Sequence, residues 1–239
     1  KTTIIHNLGY HLAQKHRVLL VDMDPQASLT AFMGIESHKL TDEQTIYGAI
    51  TERSPLKVWS DKIHNMHIVP ANILLAGAEI ETARDIITDN RQRLKLALSE
   101  IIDQFDYILI DCPPSLGILS VMSVIAATHI IVPIQCQYKC YLATNQLLET
   151  IARIKKGGHK KLEIACFIPT MYDKRTIQDS GILEAVKSQA QGHIYVTPPI
   201  PKSTVFPDAA QANQPLALFK KNHPAVTIFS EITRHLTKL

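Results

Sequence analysis

The 239-residue sequence has few cysteines and no long apolar run. Its cysteines do not form paired C-x-x-C spacings, and no histidine doublet completes a ligand set; they are Cys112, Cys136, Cys140 and Cys166. This pattern disfavours a zinc or iron–sulfur site and indicates reduced thiols in a cytosolic protein. No apolar stretch approaches the roughly 20 residues needed to cross a bilayer, and no charged-then-apolar leader opens the sequence, so we expect a cytoplasmic protein.

An excess of either charge sign is also lacking. The net charge is +3, which is compatible with a local basic surface but does not require a nucleic-acid partner. With 46% hydrophobic and 20% charged residues the composition is that of an ordinary folded protein. The compact basic run at 155–161 predicts either a solvated turn or a dedicated binding patch.

Glycine is missing where a phosphate-binding loop would need it. The sequence begins Lys1-Thr2-Thr3 and continues with apolar residues at helical spacing, which predicts an amphipathic helix over 2–15. A lysine and two hydroxyl residues that lead into a helix are typical of the end of such a loop. The ammonium meets the β and γ phosphates, the first hydroxyl ligates Mg²⁺, and the helix amides face the anion.

Short apolar runs alternate with helical patterns along the rest of the sequence. Strands are predicted at 17–21, 67–70, 107–110, 130–134, 162–168 and 194–196, and helical patterns at about 72–87, at 91–103, after 134 and at the end of the chain. This alternation predicts an α/β fold, with one mainly parallel, doubly wound sheet flanked by helices, in a single domain over 1–239.

Three carboxylates follow predicted strands. Asp22 and Asp24 come after the first strand, and Asp111 comes after the third. Open α/β sheets bind their ligands at the carboxyl ends of the strands. Mg²⁺ is held by one or two carboxylates together with phosphate oxygens and water. The pattern therefore predicts a Mg²⁺–nucleotide site.

Five segments, in order, resemble the ParA family of partition ATPases, in its Soj-like branch. They are Lys1-Thr2-Thr3, residues 18–26 (VLLVDMDPQ), 75–81 (LAGAEIE), 105–117 (FDYILIDCPPSLG) and 169–176 (PTMYDKRT), and their order covers nearly the whole chain. The resemblance implies the P-loop NTPase type of fold, with ATP and Mg²⁺ as cofactors.

The resemblance also implies roles for individual residues. Lys1 is similar to the catalytic phosphate-loop lysine, Thr2 to the Mg²⁺ ligand, and Thr3 to a further phosphate contact. Asp24 is similar to the catalytic aspartate that orients the attacking water. Asp111 resembles the Walker B aspartate that holds Mg²⁺ through water.

Three further positions leave alternatives open. Asp22 would lie beside the Mg²⁺ shell, or it is a structural turn carboxylate. Met171 and Pro201 lie in segments that flank the adenine in this family, and core packing is the alternative for both.

The family's ATP-bound homodimer holds nonspecific double-stranded DNA, and a ParB-like centromere-binding protein stimulates release, so the resemblance implies a nucleoid-associated protein with these partners and no membrane. Arg175 matches one DNA-contacting arginine. A second family arginine aligns with Val205, where only Lys202 is basic nearby, and this departure weakens the inference. Lysines of the 155–161 run are alternative contacts.

The family loop reads Lys-Gly-Gly-x-Gly-Lys-Thr-Thr after a central strand, and this sequence starts at the second lysine. We therefore expect an N-terminally truncated copy, which lacks the first strand and the glycine part of the P-loop, and weak or no ATP hydrolysis from the chain as it stands. Two other functions remain open. One is a MinD-like membrane-positioning ATPase, although the final helix lacks a cationic membrane face; the other is a non-catalytic remnant.

Overall fold

The structure is a computed structural model that describes residues 1–52, 54–84, 89–115 and 117–239. The helices are α1 Thr2–Leu12, α2 Ser28–Phe32, α3 Ile46–Thr51, α4 Leu75–Arg84, α5 Arg93–Ser99, α6 Ile118–Ala126, α7 Tyr138–Lys156, α8 Ile177–Ala190, α9 Val205–Gln211, α10 Leu216–Phe219 and α11 Pro224–Leu236. The strands are β1 Val18–Asp22, β2 Met66–Val69, β3 Tyr107–Asp111, β4 His129–Gln135, β5 Glu163–Thr170 and β6 Tyr195–Val196.

The chain divides into two compact units, and the first comprises Lys1–Ala127 with Phe206–Lys220. Its three strands pair in the order β2-β1-β3, all parallel. All five residues of β1 are buried, as expected of a continuous apolar run in the middle of a covered parallel sheet. The central strand therefore ends in a buried aspartate, Asp22.

Helix α1 packs closely on this sheet at Gly9. A Cβ built at Gly9 would lie 2.8 Å from both Leu20 Cδ2 and Met66 Sδ. The helix buries Ile4, Leu8 and Leu12 along the same face. Close packing of this kind fixes the position of the first turn of α1 relative to the ends of β1 and β3.

The second unit comprises Thr128–Val205 with Lys221–Leu239. Its strands pair in the order β4-β5-β6, again all parallel. The core contains Val132, Phe167 and Val186, which join β4, β5 and α8. Helix α11 buries a regular apolar face, formed by Ala225, Phe229, Ile232 and Leu236, as its pattern predicts.

Parallel pairing in both sheets, flanked by helices, confirms the predicted fold class. The pairing is in two three-stranded sheets, and the single domain over 1–239 stays a prediction. The predicted helix at 91–103 is shorter, because α5 ends at Ser99 and an isolated 3₁₀ turn follows at 102–104. The end of the predicted 72–87 helix, from 85 onward, lies outside the described residues. No helix in the part of the chain that the structure describes is both long and apolar enough to cross a membrane.

Candidate functional site

Two buried aspartates lie side by side where β1 and β3 end. Asp22 and Asp111 are register partners in the parallel pair, and the Met23 amide donates to the Asp111 carbonyl at 2.9 Å just beyond them. Both side chains are almost fully buried. The sheet itself therefore brings together two of the predicted site residues.

The carboxylate of Asp111 is buried at the end of β3. Neither Oδ1 nor Oδ2 has a partner within the described residues. Burial raises the pKa of Asp111, and Asp24 raises it further, while Thr2 and Lys1 lower it. Thr2 is thus close enough to influence the carboxylate, although its geometry does not satisfy either oxygen. Buried carboxylates are normally paired or bound to a cation, so this one is arranged for a cation.

Asp22 has the opposite environment, because its oxygens are occupied. Oδ2 accepts from the Thr30 amide at 2.9 Å and the Thr30 hydroxyl at 2.8 Å, and Oδ1 accepts from the Asp24 amide at 3.1 Å. Burial raises the pKa of Asp22 to about 7, against the lowering effect of these donors. The contacts are those of a structural carboxylate that holds the loop between β1 and α2.

Asp24 lies in the same loop and is only half-buried. Its Oδ1 accepts from the Gln26 amide at 3.0 Å, and its carbonyl accepts from the Ala27 amide at 2.8 Å. Ala27 has a left-handed backbone, with φ 51°. This turn leaves Asp24 accessible from solvent beside the more deeply buried Asp111.

The first turn of α1 faces this edge of the sheet. Lys1 is the N-cap residue, and its Nζ donates to the Pro113 carbonyl at 2.8 Å, in the loop that follows β3. Thr2 and Thr3 open the helix and are half-buried. The first amides of a helix have no intrahelical acceptor, so they are available to an anion.

Five of these residues fit a Mg²⁺–nucleotide complex by the chemistry of their donors, namely Lys1, Thr2, Thr3, Asp24 and Asp111. Two buried, unpaired carboxylate oxygens and a neighbouring hydroxyl form the hard oxygen set that Mg²⁺ prefers. The lysine and the helix N-terminus supply positive charge for phosphates. Within the described residues, no group of three or more His, Cys, Asp or Glu side chains is placed to hold a metal ion, so any Mg²⁺ here would depend on oxygens of the nucleotide and of water as well.

The second unit brings together the other four predicted residues. Met171 follows β5 with a left-handed backbone at φ 56°, and it is 41% exposed. The next residue pairs with the segment after β6, because the Tyr172 amide donates to the Ile200 carbonyl at 3.1 Å and the Lys202 amide to the Tyr172 carbonyl at 3.0 Å. Core packing does not explain the exposed Met171, whereas the half-buried Pro201 fits either alternative.

Arg175 and Lys202 are both exposed beside Asp173. Arg175 Nε donates to Asp173 Oδ1 at 2.9 Å and Nη2 to Oδ2 at 2.7 Å, which is a bidentate pair. Arg175 mainly, with a smaller effect of Lys202, holds the pKa of Asp173 well below its usual range. The Asp173 amide in turn donates to Asp179 Oδ2 at 2.8 Å. The guanidinium of Arg175, which is predicted to contact DNA, is therefore paired with the carboxylate of Asp173.

The sequence interpretation missed three participants, namely Thr30, Asp173 and Asn7. Thr30 satisfies Asp22, Asp173 pairs with Arg175, and Asn7 donates to the Thr3 carbonyl at 2.7 Å. Asp173 and Arg175 are two positions apart, a spacing that signals an Asx-type turn. Thr30 and Asp22 lie in different elements, so their contact has no local signal, whereas Asn7 reaches a carbonyl four residues earlier in its own helix.

The chain matches known proteins over most of its length. A family model described as an AAA domain matches residues 1–164. The sporulation initiation inhibitor protein Soj of Bacillus subtilis (strain 168) is 34% identical over 239 residues, which cover 99% of this chain and 92% of Soj. The chromosome partitioning protein ParA of Myxococcus xanthus (strain DK1622) is 31% identical over 242 residues, covering 100% and 83%. The crystal structure of cobyrinic acid a,c-diamide synthase from Mycobacterium smegmatis with bound ADP and magnesium is 29% identical, with a TM-score of 0.83 and coverage of 99% and 88%.

Proposed function

This chain belongs to the ParA/Soj-like family of partition ATPases, and from that premise we propose that it binds ATP with Mg²⁺, that it hydrolyses ATP when residues before Lys1 complete the phosphate loop, and that it acts in the partition of plasmids or chromosomes. The observation that carries the proposal is Asp111, whose two buried oxygens have no partner among the described residues and lie beside the first turn of α1. A buried carboxylate of this kind has an unfavourable free energy until a cation joins it.

In this proposal each site residue of the first unit has a separate role. Lys1 exchanges its contact with the Pro113 carbonyl for the β and γ phosphates, and the amides of Thr2 and Thr3 hold the phosphate oxygens. Asp111 and the Thr2 hydroxyl would hold Mg²⁺, which when bound neutralises charge on the phosphate oxygens. Asp24, half-buried beside them, orients the attacking water and accepts its proton.

The hydrolysis proposal is tested by steady-state turnover in a form of the protein that carries a complete phosphate loop before Lys1. Asp24→Ala should lower kcat by roughly 10²–10⁴-fold, the usual contribution of a positioned general base. Asp61→Ala, which changes an exposed aspartate of the same unit, is the matched control. Equal activity of both variants would remove Asp24 from the reaction.

We also propose that the ATP-bound form is a homodimer that binds nonspecific double-stranded DNA in the nucleoid of the cytoplasm, and that a ParB-like partner stimulates its release. The exposed cluster of Arg175, Lys202 and neighbouring Lys174 supports this proposal, because such side chains contact phosphates. Met171 and Pro201, next to this cluster, are the proposed adenine contacts.

The DNA proposal predicts an affinity for random-sequence duplex that depends on both ATP and salt. The logarithm of the binding constant should fall linearly with the logarithm of salt, with a slope of about −0.9 for each phosphate contacted. Fluorescence anisotropy with ATP, with ADP and without nucleotide measures both effects. An affinity that is the same in all three conditions would refute a nucleotide-dependent DNA-binding dimer.

A further inference from the structure

Asn7 is a buried amide of α1 to which the proposed nucleotide chemistry gives no role. Its side chain is 97% buried, since the residue is 3% exposed. Its Nδ2 donates to the Thr3 carbonyl at 2.7 Å, and its Oδ1 accepts from the Leu216 amide at 2.8 Å. One side chain therefore connects the first turn of α1 to a residue 209 positions later in the chain.

The side chain of Asn7 provides a hydrogen-bond acceptor for the first amide of α10. Leu216 is the first residue of α10 and is fully buried, and Pro215 before it provides no side-chain cap. The first amides of a helix need an acceptor from outside the helix. An asparagine inside α1 is itself less favourable than alanine, so its presence there is compensated by these tertiary contacts.

The segment 206–220, called the return segment below, is tied to the first unit at a second place. His64 Nε2 donates to the Asn213 carbonyl at 2.9 Å. Both residues have left-handed backbones, with φ 51° for His64 and 53° for Asn213. Non-glycine residues keep this conformation only where the surrounding structure holds them, so the segment is docked in a defined way. Of the two ties, the bond to Asn7 is the one that reaches the first turn of α1.

We propose that Asn7 is a positioning residue of the nucleotide site, which couples the phosphate-binding turn of α1 to the return segment. The inference rests on the proposed function, because it assigns phosphates to Lys1, Thr2 and Thr3. When phosphates order that turn, the Thr3 carbonyl holds the Asn7 amide, and Asn7 holds the Leu216 amide. Coupling between two sites is reciprocal, so a docked return segment also strengthens nucleotide binding.

The test combines hydrogen exchange with nucleotide affinity, using Mg·ATP as the probe, in the form of the protein that carries a complete phosphate loop before Lys1. This form without substitutions is the wild type of the comparison. In the wild type, Mg·ATP should slow the exchange of the amides of 213–219. Asn7→Ala should speed that exchange without nucleotide on the order of tenfold, the effect of losing one buried hydrogen bond, and weaken the Kd for Mg·ATP by a similar factor. Gln14→Ala is the matched control, because Gln14 also donates to a carbonyl four residues earlier but is exposed.

A second variant separates the two hydrogen bonds. Asn7→Asp keeps the shape and the acceptor for Leu216 but, when ionised, cannot donate to the Thr3 carbonyl. Exchange of 213–219, corrected for the loss of global stability that a buried carboxylate causes, should then stay within about threefold of the wild type while the Kd for Mg·ATP still weakens.

Two results would overturn the positioning role. One is a Kd for Mg·ATP that both Asn7 variants leave unchanged, which would make Asn7 purely structural. The other is a wild type that binds Mg·ATP without any slowing of exchange in 213–219. A wild type that does not bind Mg·ATP at all would instead refute the proposed function, and the positioning role with it.

Discussion

Asp111 should respond to substitution differently with and without nucleotide. Asp111→Asn removes a buried charge that has no partner in the described structure, so the nucleotide-free protein should be as stable as the wild type or more stable. The same change removes a cation ligand. Wild type at 100 times its Kd for Mg·ATP should gain about 2.7 kcal/mol in the free energy of unfolding, and the variant should lose most of this gain.

Thermal unfolding with and without Mg·ATP measures both effects for Asp111. A variant that is less stable than the wild type without nucleotide, yet gains as much from Mg·ATP, would contradict a role in cation binding.

The bidentate pair of Asp173 and Arg175 should limit DNA binding. Asp173→Asn removes the anion that competes with DNA phosphates for Arg175, so affinity for duplex should rise. The salt slope should steepen by up to about 0.9 for each arginine or lysine freed. Asp106→Asn is a matched control, because Asp106 holds exposed Arg17 in a similar fork, at 2.8 Å from Nη2. Equal gains from both changes would show that only net charge matters.

At the residue scale, predictability depended on where the partner lies in the chain. Asp22, Asp24 and Asp111 are predictable because each follows an apolar strand, and the parallel register then makes two of them neighbours. The pairing of Asp173 with Arg175 is signalled by their two-residue spacing, whereas the left-handed backbone of Met171, at the start of the same loop, has no local signal. The roles of all ten predicted site residues stay predictions.

Two helix glycines should respond to alanine in opposite ways. Gly9→Ala places a Cβ 2.8 Å from Leu20 and Met66, and such overpacking costs about 1–3 kcal/mol, partly offset by about 1 kcal/mol of helix propensity. Gly181→Ala in α8 meets no atom within 4 Å, so it should stabilise by about 1 kcal/mol. Urea unfolding midpoints of both variants give the comparison. A Gly9→Ala protein as stable as Gly181→Ala would show that α1 is free to move off the sheet.

At the element scale, the strands are predictable because a buried parallel strand is a continuous apolar run. The short helices α2, α9 and α10 are not, because four to seven residues carry too little periodicity. The positions of these helices are set instead by contacts with other elements. In α2, for example, the Thr30 amide donates to Asp22 at the end of β1.

Two buried groups, Asp22 and His6, should contribute to the pH dependence of the nucleotide-free protein's stability in opposite directions. The pKa of Asp22 is raised to about 7, so between about pH 4 and 7 the folded state binds the extra proton, and stability falls as pH rises. The pKa of His6 is lowered to about 4, mainly by burial, so between about pH 4 and 6.5 the unfolded state binds the extra proton, and stability rises with pH.

The shifts of Asp22 and His6 correspond to roughly 4 and 3 kcal/mol, so their contributions largely cancel each other between about pH 4 and 6.5 in the wild type. Relative to the wild type, Asp22→Asn should therefore become more stable as pH rises from 4 to 7, and His6→Gln should become less stable. Denaturant unfolding at several pH values measures these differences. Two variants whose profiles run parallel to the wild type would show that neither group titrates in this range.

The contact between Asn7 and Leu216 can form only late in synthesis, because the two residues lie far apart in the chain. At about 5–20 residues per second, a ribosome needs roughly 10–40 s to add the 209 residues that separate them. In the later part of that interval, once β3 has been made, α1 and the first sheet exist without the return segment, and the Leu216 amide is not yet there to donate to Asn7. Helix α1, which is proposed to bind phosphate, is thus made early, and its hydrogen bond with the return segment forms late. The nascent protein therefore passes through a stage in which α1 is present without that hydrogen bond. Ribosome-arrested chains that end before and after residue 216 would show this stage as a difference in protease sensitivity of α1.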